Sequence, residues 1–196
     1  MTTRRAGWPS SASGPKGVAR RAWREGRDLQ LIGRGYHPPH LAGELFGVRT
    51  GLKVLHVPFR GSASTEVMSG AIDFAIDNVG SYTPVLRANR VRALAVTSPE
   101  RWPVFPDLPT MAEAGVPDFV ITSWGALVMP AGTPAAITNR LSQAMQDVAA
   151  QPAMKERFLT AGARITSSTP AETVAMAARE RVKWKEVVRL SGAKVE

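Results

Sequence analysis

The chain of 196 residues contains no cysteine, only three histidines and only two tyrosines. Without cysteine, neither a disulfide framework nor a thiolate metal site or nucleophile can form. No apolar run approaches the roughly 18 to 20 residues that a membrane-spanning helix requires. The sequence also has no GxSxG elbow, Walker loop or dinucleotide fingerprint. We therefore expect neither an enzyme nor a protein that binds a cofactor.

The net charge of +9 is concentrated at the start of the chain. Residues 1–34 hold eight basic and two acidic residues, which account for six of the nine net positive charges. Glycine, proline and serine are scattered among the arginines of residues 1–28, and this composition predicts a disordered basic tail. No apolar segment follows the first two arginines, so the tail is not a signal peptide and the chain as written would be cytoplasmic.

Nucleic-acid binding is the first function that this tail suggests. Arginines with interleaved tryptophans can neutralise phosphates and stack on bases. The tail matches no known recognition motif, however, so we do not favour nucleic acid as a partner. A basic-armed protein that binds nucleic acid or an anionic surface remains the alternative interpretation.

The body of the chain alternates short apolar runs with glycine and proline turns, in the order strand, loop, helix. This pattern predicts an α/β fold whose ligand site lies at the carboxyl ends of the strands. The predicted strands are Leu29–Ile32, Lys53–Val57, Ala71–Ile76, Val91–Thr97 and Val120–Met129. The predicted helices begin at Pro38, near Ser62 or Ser64, near Ser81, at Thr133, at Pro152 and at Thr169.

Two segments, Thr110–Glu113 and Thr169–Glu172, have the spacing of a capping box, which predicts a helix start at each. Ser62 and Ser64 are candidate N-caps for a helix that Gly70 ends.

His37 and His40 form an HxxH pair at a predicted helix start. The spacing is compatible with a metal pair, but Glu44 is the nearest carboxylate on the same face, and we expect no metal site. Asp77 and Asn78 end a predicted strand, where ligand groups gather in α/β folds. Asn78 could donate to a ligand carboxylate, or the two residues could form an Asx turn, and both interpretations stay open.

Seven segments in fixed order resemble one family, the periplasmic substrate-binding proteins of tripartite tricarboxylate transporters, called Bug proteins. The resemblance covers about Leu29 to Glu196. The segments are HLAGELF (His40–Phe46), VPFRG (Val57–Gly61), GAIDFAIDN (Gly70–Asn78), RALAVTS (Arg92–Ser98), PDLPTMAEAG (Pro106–Gly115), Trp124–Pro134 and Gly192–Lys194.

The resemblance implies a periplasmic-binding-protein-like fold of type II, a two-lobed Venus flytrap that needs no cofactor. Such proteins bind small carboxylates in the cleft between their lobes, in the periplasm, and deliver them to membrane transporter subunits. Helix N-termini at the cleft offer partial positive charge to the carboxylate. The residues implied to bind the ligand are Gly35, His37, His40, Arg60, Gly61, Ser62, Asp77 and Asn78.

The resemblance also implies that the chain is truncated at its N-terminus, because family members have a signal peptide and much of the first lobe before the point matched by Leu29. Residues 29–125 would form one α/β lobe and residues 126–196 the helical remainder of the other. Trp184, Val187 and Val188 would then lack partners, and the exposed apolar patch would favour self-association and low stability. A non-functional remnant is a further alternative.

Overall fold

The computed structural model describes residues 29–33, 38–58 and 63–191. These ranges contain three parallel strands and six helices. The strands are β1 (Leu29–Gly33), β2 (Val54–Pro58) and β3 (Phe74–Ala75); the helices are α1 (Pro38–Thr50), α2 (Ser64–Ser69), α3 (Val79–Arg87), α4 (Ala135–Ala150), α5 (Pro152–Thr160) and α6 (Pro170–Ser191). Within these ranges no helix has the length and apolar character needed to cross a membrane.

Strand β1 is the centre of the sheet, whose order is β2-β1-β3. It pairs in parallel on both sides, so that Leu31 lies opposite His56 on β2 and Phe74 on β3. Burial by both neighbours and by α1 leaves the Leu31 side chain with no solvent exposure. Parallel neighbours need crossover connections, which α1 and α2 provide, so the predicted α/β arrangement is confirmed.

Helix α1 follows directly from its sequence. Prolines at its first two positions lack an amide that the first turn would leave unpaired anyway. Gly51 ends the helix in the left-handed region, with φ +69°, which a glycine adopts without a steric penalty. Between these ends the helix buries Ala42, Leu45 and Phe46.

The main core joins α1 to the last helix. Its buried members are Ala42, Leu45, Phe46, Met111, Val116, Phe119, Ile121 and Val187. Val187 is only 5% exposed, and Trp184 packs against the same cluster. The expectation that these residues of α6 would lack partners was therefore wrong, because the C-terminal half of α6 packs against α1.

Two of the predicted strands do not form. In Val91–Thr97 only Val96 makes a bridge, with Thr110, and Val120–Met129 contains no strand residue. Of the predicted strand Ala71–Ile76, only the two residues of β3 form a strand. A strand needs a hydrogen-bonded neighbour along its length, and the described residues supply none for most of these runs.

The two capping boxes have different outcomes. At both sites the threonine hydroxyl accepts from the glutamate amide and the glutamate accepts from the threonine amide. The box at Thr169 opens α6, as predicted. The box at Thr110 closes only a turn, because Gly115 turns the chain with φ +89° and Pro117 follows.

The predicted serine cap of α2 was wrong at Ser64. This serine is buried as the first residue of the helix, and the N-cap is Ala63, whose side chain cannot accept a hydrogen bond. Ser62 lies outside the described residues. Gly70 ends the helix in the left-handed region, φ +77°, as expected.

Gly80 and Gly162 bring the C-terminal helices against the start of α3. A Cβ atom at Gly80 would collide with the carbonyl oxygen of Ala161, and one at Gly162 would collide with the Gly80 backbone. The turn that ends α5 therefore lies directly on the first turn of α3, with no room for a side chain at either glycine.

Val187→Ala tests the docking of α6 on the core. We expect the free energy of unfolding in urea to fall by about 1.5–3 kcal/mol, because the substitution removes buried methyl groups. Val182→Ala on the same helix is the matched control, since Val182 is 72% exposed and both changes alter helix propensity alike. Its effect should stay within about 0.5 kcal/mol. Equal effects of the two substitutions would contradict the packing of Val187.

Gly80→Ala tests the contact between α3 and the turn after α5. Alanine favours a helix over glycine by up to about 1 kcal/mol, whereas the collision with Ala161 costs about 1–3 kcal/mol. We expect a net loss of unfolding free energy in urea. Gly125→Ala, where a Cβ atom would meet nothing within 4 Å, should cause no loss. Stabilisation by Gly80→Ala would show that the two backbones are not in contact.

Candidate functional site

The carboxyl ends of the three parallel strands meet at one edge of the sheet. Strand β1 ends at Gly33, β2 at Pro58 and β3 at Ala75, and in each case the next helix begins a few residues later. The N-termini of α1, α2 and α3 therefore point towards the same edge. The connection from β1 leads to β2 on one side, whereas β3 lies on the other side. In α/β sheets the ligand crevice forms at such a point, which here lies between the ends of β1 and β3.

Five of the eight predicted binding residues lie outside the described residues. Gly35 and His37 follow β1 in the sequence, and Arg60, Gly61 and Ser62 follow β2. Their binding role remains a prediction. The disordered tail predicted for residues 1–28 also lies outside the described residues.

His40 lies in the first turn of α1 and makes contacts within the protein. Its ring stacks on His56 of β2, with 3.7 Å between ring centroids and 9° between the planes. Its Nε2 atom lies 3.5 Å from Glu44 Oε1. Among the described residues, no group of three or more histidine, aspartate or glutamate side chains could hold a metal ion.

Asp77 and Asn78 lie between β3 and α3, at the crevice. The backbone N–H of Asn78 donates a hydrogen bond of 2.7 Å to Oδ1 of the adjacent Asp77. Asn78 is the N-cap of α3, with φ −66° and ψ 126°, but its side chain does not cap the helix. Instead its Oδ1 accepts a hydrogen bond of 2.5 Å from Ser123 Oγ. This bond orients the side-chain amide of Asn78 and leaves its Nδ2 atom without an acceptor among the described residues.

Tyr82 is a candidate site residue that is absent from the eight predicted from the sequence. It lies four residues after Asn78, and residues at this spacing share a helix face, which is the signal that could have identified it. Its ring packs against Ala63 and Ile72, and its buried hydroxyl has no hydrogen-bond partner. Burial, with a smaller contribution from the charge of Asp77, raises the pKa of Tyr82 from 10.0 to about 12. The hydroxyl therefore stays protonated and able to donate.

The turn at Ala161 and Gly162 forms part of the surroundings of this edge. It contacts Gly80, two residues after Asn78, so the C-terminal helices reach the site through their backbone. Neither this contact nor the Ser123 contact has a local signal in the sequence, since both join residues far apart in the chain.

A concavity of about 660 Å³ lies at the other end of α3. It is lined by Leu86, by residues 89–93, which include Arg90 and Arg92, and by residues 104–108. It contains none of the predicted site residues. Both arginines are exposed. We therefore keep the carboxyl edge of the sheet as the candidate site.

Solved structures share this fold. The chain superposes on an R. palustris protein solved with adipate with a TM-score of 0.83 at 30% identity, covering 93% of this chain and 62% of that one. The periplasmic binding protein BugD gives a TM-score of 0.79 at 26% identity, with the same coverage. MatC from Rhodopseudomonas palustris, solved with bound malate, gives 0.77 at 26% identity and covers 89% of this chain and 62% of MatC. The expected periplasmic-binding-protein-like fold is confirmed.

Relatives in sequence cover a similar stretch. BugT of Bordetella pertussis is 36% identical over 159 residues, which are 80% of this chain and 49% of BugT. A Pseudomonas protein encoded between tcbD and tcbE is 35% identical over 152 residues, which are 76% of this chain and 45% of that protein. The chain thus spans about half the length of these two relatives. The tripartite tricarboxylate transporter family receptor, TctC, matches residues 32–192, and the protein therefore belongs to the TctC receptor family.

Proposed function

We propose that the protein is a periplasmic receptor that captures a small carboxylate at the crevice between β1 and β3 and hands it to a tripartite tricarboxylate transporter. The observation that carries the proposal is the pair of uncommitted donors at the start of α3, the Nδ2 atom of its N-cap Asn78 and the Tyr82 hydroxyl, in a chain of the TctC family. Two structural neighbours were solved with the dicarboxylates adipate and malate, which makes dicarboxylates the first ligands to test.

Neutral donors suit the reversible capture of a carboxylate. Asn78 and Tyr82 lie at the N-terminal end of α3, where the helix dipole adds partial positive charge. These donors can therefore hydrogen-bond the charged oxygen atoms of a carboxylate ligand. No buried counter-charge is needed, and the cost of desolvating one is avoided. The negative charge of Asp77 acts on Tyr82 and would disfavour a ligand placed against it, so we place the ligand on the Asn78 side.

The connections after β1 and β2 would complete the site in this proposal. Backbone amides at Gly35 and Gly61 and the Ser62 hydroxyl are donors of the same neutral kind. Arg60 would add positive potential, and His37 and His40 would border the ligand from the start of α1. Because His40 already contacts His56 and Glu44, its role would be to shape the wall.

The polar groups at this edge favour binding over catalysis. Ser123 Oγ, the hydroxyl nearest to Asn78 in the described hydrogen bonds, donates to an amide oxygen and not to a base. A serine nucleophile needs a neighbouring base that accepts its proton. We therefore propose a receptor without enzymatic activity.

Asn78→Asp tests the proposed ligand donor. Isothermal titration calorimetry with adipate, malate and citrate should show binding of at least one carboxylate by the unmodified chain. Asn78→Asp should weaken that binding about tenfold or more, because it replaces a donor by a negative charge. The variant keeps an oxygen that accepts from Ser123, so the fold contact survives.

Asn139→Asp is the matched control, since it makes the same charge change at an exposed position of α4. It should leave the affinity unchanged. Equal affinities of Asn78→Asp and the unmodified chain would contradict the role of Asn78. No binding of any carboxylate would contradict the proposed function and favour a non-functional remnant.

Tyr82→Phe separates the effect of the buried hydroxyl on stability from its effect on ligand affinity. At neutral pH the variant should be as stable as the unmodified chain or more stable by about 1 kcal/mol, because an unpartnered buried hydroxyl is removed. The same variant should bind the dicarboxylate about tenfold more weakly. A destabilised variant with unchanged affinity would contradict a ligand-binding role for Tyr82.

The pH dependence of stability gives a second measurement on Tyr82. Its pKa is raised from 10.0 to about 12 in the folded state, so the folded chain holds this proton more tightly than the unfolded chain. The associated stability is complete below pH 10 and is lost as the pH rises through about 12. The free energy of unfolding should therefore fall more steeply over this window in the unmodified chain than in Tyr82→Phe. Parallel curves would show that the hydroxyl is not buried.

A further inference from the structure

The concavity at the C-terminal end of α3 divides its lining as a ligand site does. Every half-buried residue that lines it is apolar, Phe105 and Leu108 among them. Its exposed lining residues are polar apart from Pro106, and they include Arg90 and Arg92. Small-molecule sites combine an apolar lining with a few polar groups in volumes of roughly 300–1,000 Å³. The 660 Å³ of this cavity lies within that range.

The end of α3 places both arginines at this cavity. Asn89 follows the helix in the left-handed region, with φ 52°, which asparagine adopts more often than most residues do. The backbone N–H of Arg90 then donates to the Val85 carbonyl over 2.9 Å, and that of Asn89 to the Leu86 carbonyl over 3.0 Å. These two bonds form a Schellman motif, which turns the chain sharply. Arg90 and Arg92 therefore line the cavity together with Leu86.

Residues 104–108 form a second wall, which the loop's own hydrogen bonds hold in place. Arg101 donates through Nη1 to the Pro106 carbonyl over 3.1 Å. The backbone N–H groups of Phe105 and Leu108 each close a turn over 3.0 Å. The apolar wall is thus formed before any ligand binds, so that binding does not have to order it.

The positive charge at this cavity is only partly compensated. The side chains of Arg90 and Arg92 make no hydrogen bond or ion pair with the residues that the structure describes. Asp107 is the carboxylate among the lining residues, so two positive charges against one negative charge leave a net charge of +1. A concave surface with excess positive charge attracts anions. The apolar wall favours an anion that also has an apolar body.

We infer that this cavity is a binding site of its own, for a small organic anion with an apolar body, such as an aryl carboxylate. The guanidinium groups of Arg90 and Arg92 hold the anionic oxygen atoms, because a guanidinium forms paired hydrogen bonds with a carboxylate. Phe105 and Leu108 contact the apolar body. The site shares no residue with the carboxyl edge of the sheet, so it does not depend on the function proposed above.

Titration of the 196-residue chain with phenylacetate tests this site. We expect saturable shifts of the NMR signals from the backbone amides of Arg90, Arg92 and Phe105. Phenylacetamide has the same apolar body without the charge, and acetate has the charge without the body. Each should bind about tenfold more weakly than phenylacetate or worse. Absence of saturable shifts at these amides, or equal binding of phenylacetate and phenylacetamide, would overturn the inference.

Substitutions of the charged lining residues should act in opposite directions. The double variant Arg90→Gln with Arg92→Gln should bind phenylacetate about tenfold more weakly, because both guanidinium groups are removed. Asp107→Asn should strengthen binding about twofold or more, because it removes the negative charge beside the anion. All three side chains are exposed, so circular dichroism should show an unchanged fold. Weaker binding by Asp107→Asn would contradict the proposed position of the anion.

Arg140→Gln with Arg179→Gln is the matched control, since it removes the same two charges at exposed positions of α4 and α6. It should leave the affinity for phenylacetate unchanged. Equal losses in the two double variants would show that binding follows net charge alone and would overturn the inference. The variant without Arg90 and Arg92 should keep its affinity for the dicarboxylates proposed to bind at the carboxyl edge, so that failures of the two proposals are distinguishable.

Discussion

Parallel pairing of β1 on both sides is the constraint on which the rest of this structure depends. Parallel neighbours cannot be joined by hairpins, so α1 and α2 must return the chain to the opposite edge of the sheet before each new strand. Every strand therefore ends at the same edge and every following helix begins there. The position of the candidate site, with Asn78 between β3 and α3, is a direct consequence of this connectivity.

The C-terminal helices contact the sheet portion at two very different points. Val187 is buried in the main core beside α1, where the hydrophobic effect holds α6 in place. Gly80 and Gly162 meet backbone to backbone beside the candidate site, where no side chain fits. The first contact supplies stability, whereas the second places the end of α5 beside the candidate site.

The chemistry of the candidate site fits the proposed capture of a carboxylate. A receptor has to release what it binds, and neutral donors at a helix N-terminus attract a carboxylate without the desolvation cost of a buried ion pair. Ser123 contributes by orienting the Asn78 amide, although it lies 45 residues away in the sequence.

Local signals in the sequence by themselves determined β1, β2, the proline start and glycine end of α1, the capping box of α6 and the family, since each depends on neighbouring residues or on motif order. The strand at Val91–Thr97 and the capping box at Thr110 had equally good local signals and still failed to give a strand and a helix. A strand exists only with a partner, and a helix start needs residues that can continue it. Tertiary structure alone decided the burial of Val187, the Gly80–Gly162 contact and the unpartnered hydroxyl of Tyr82, because each depends on segments that are distant in the chain and meet only in the folded protein.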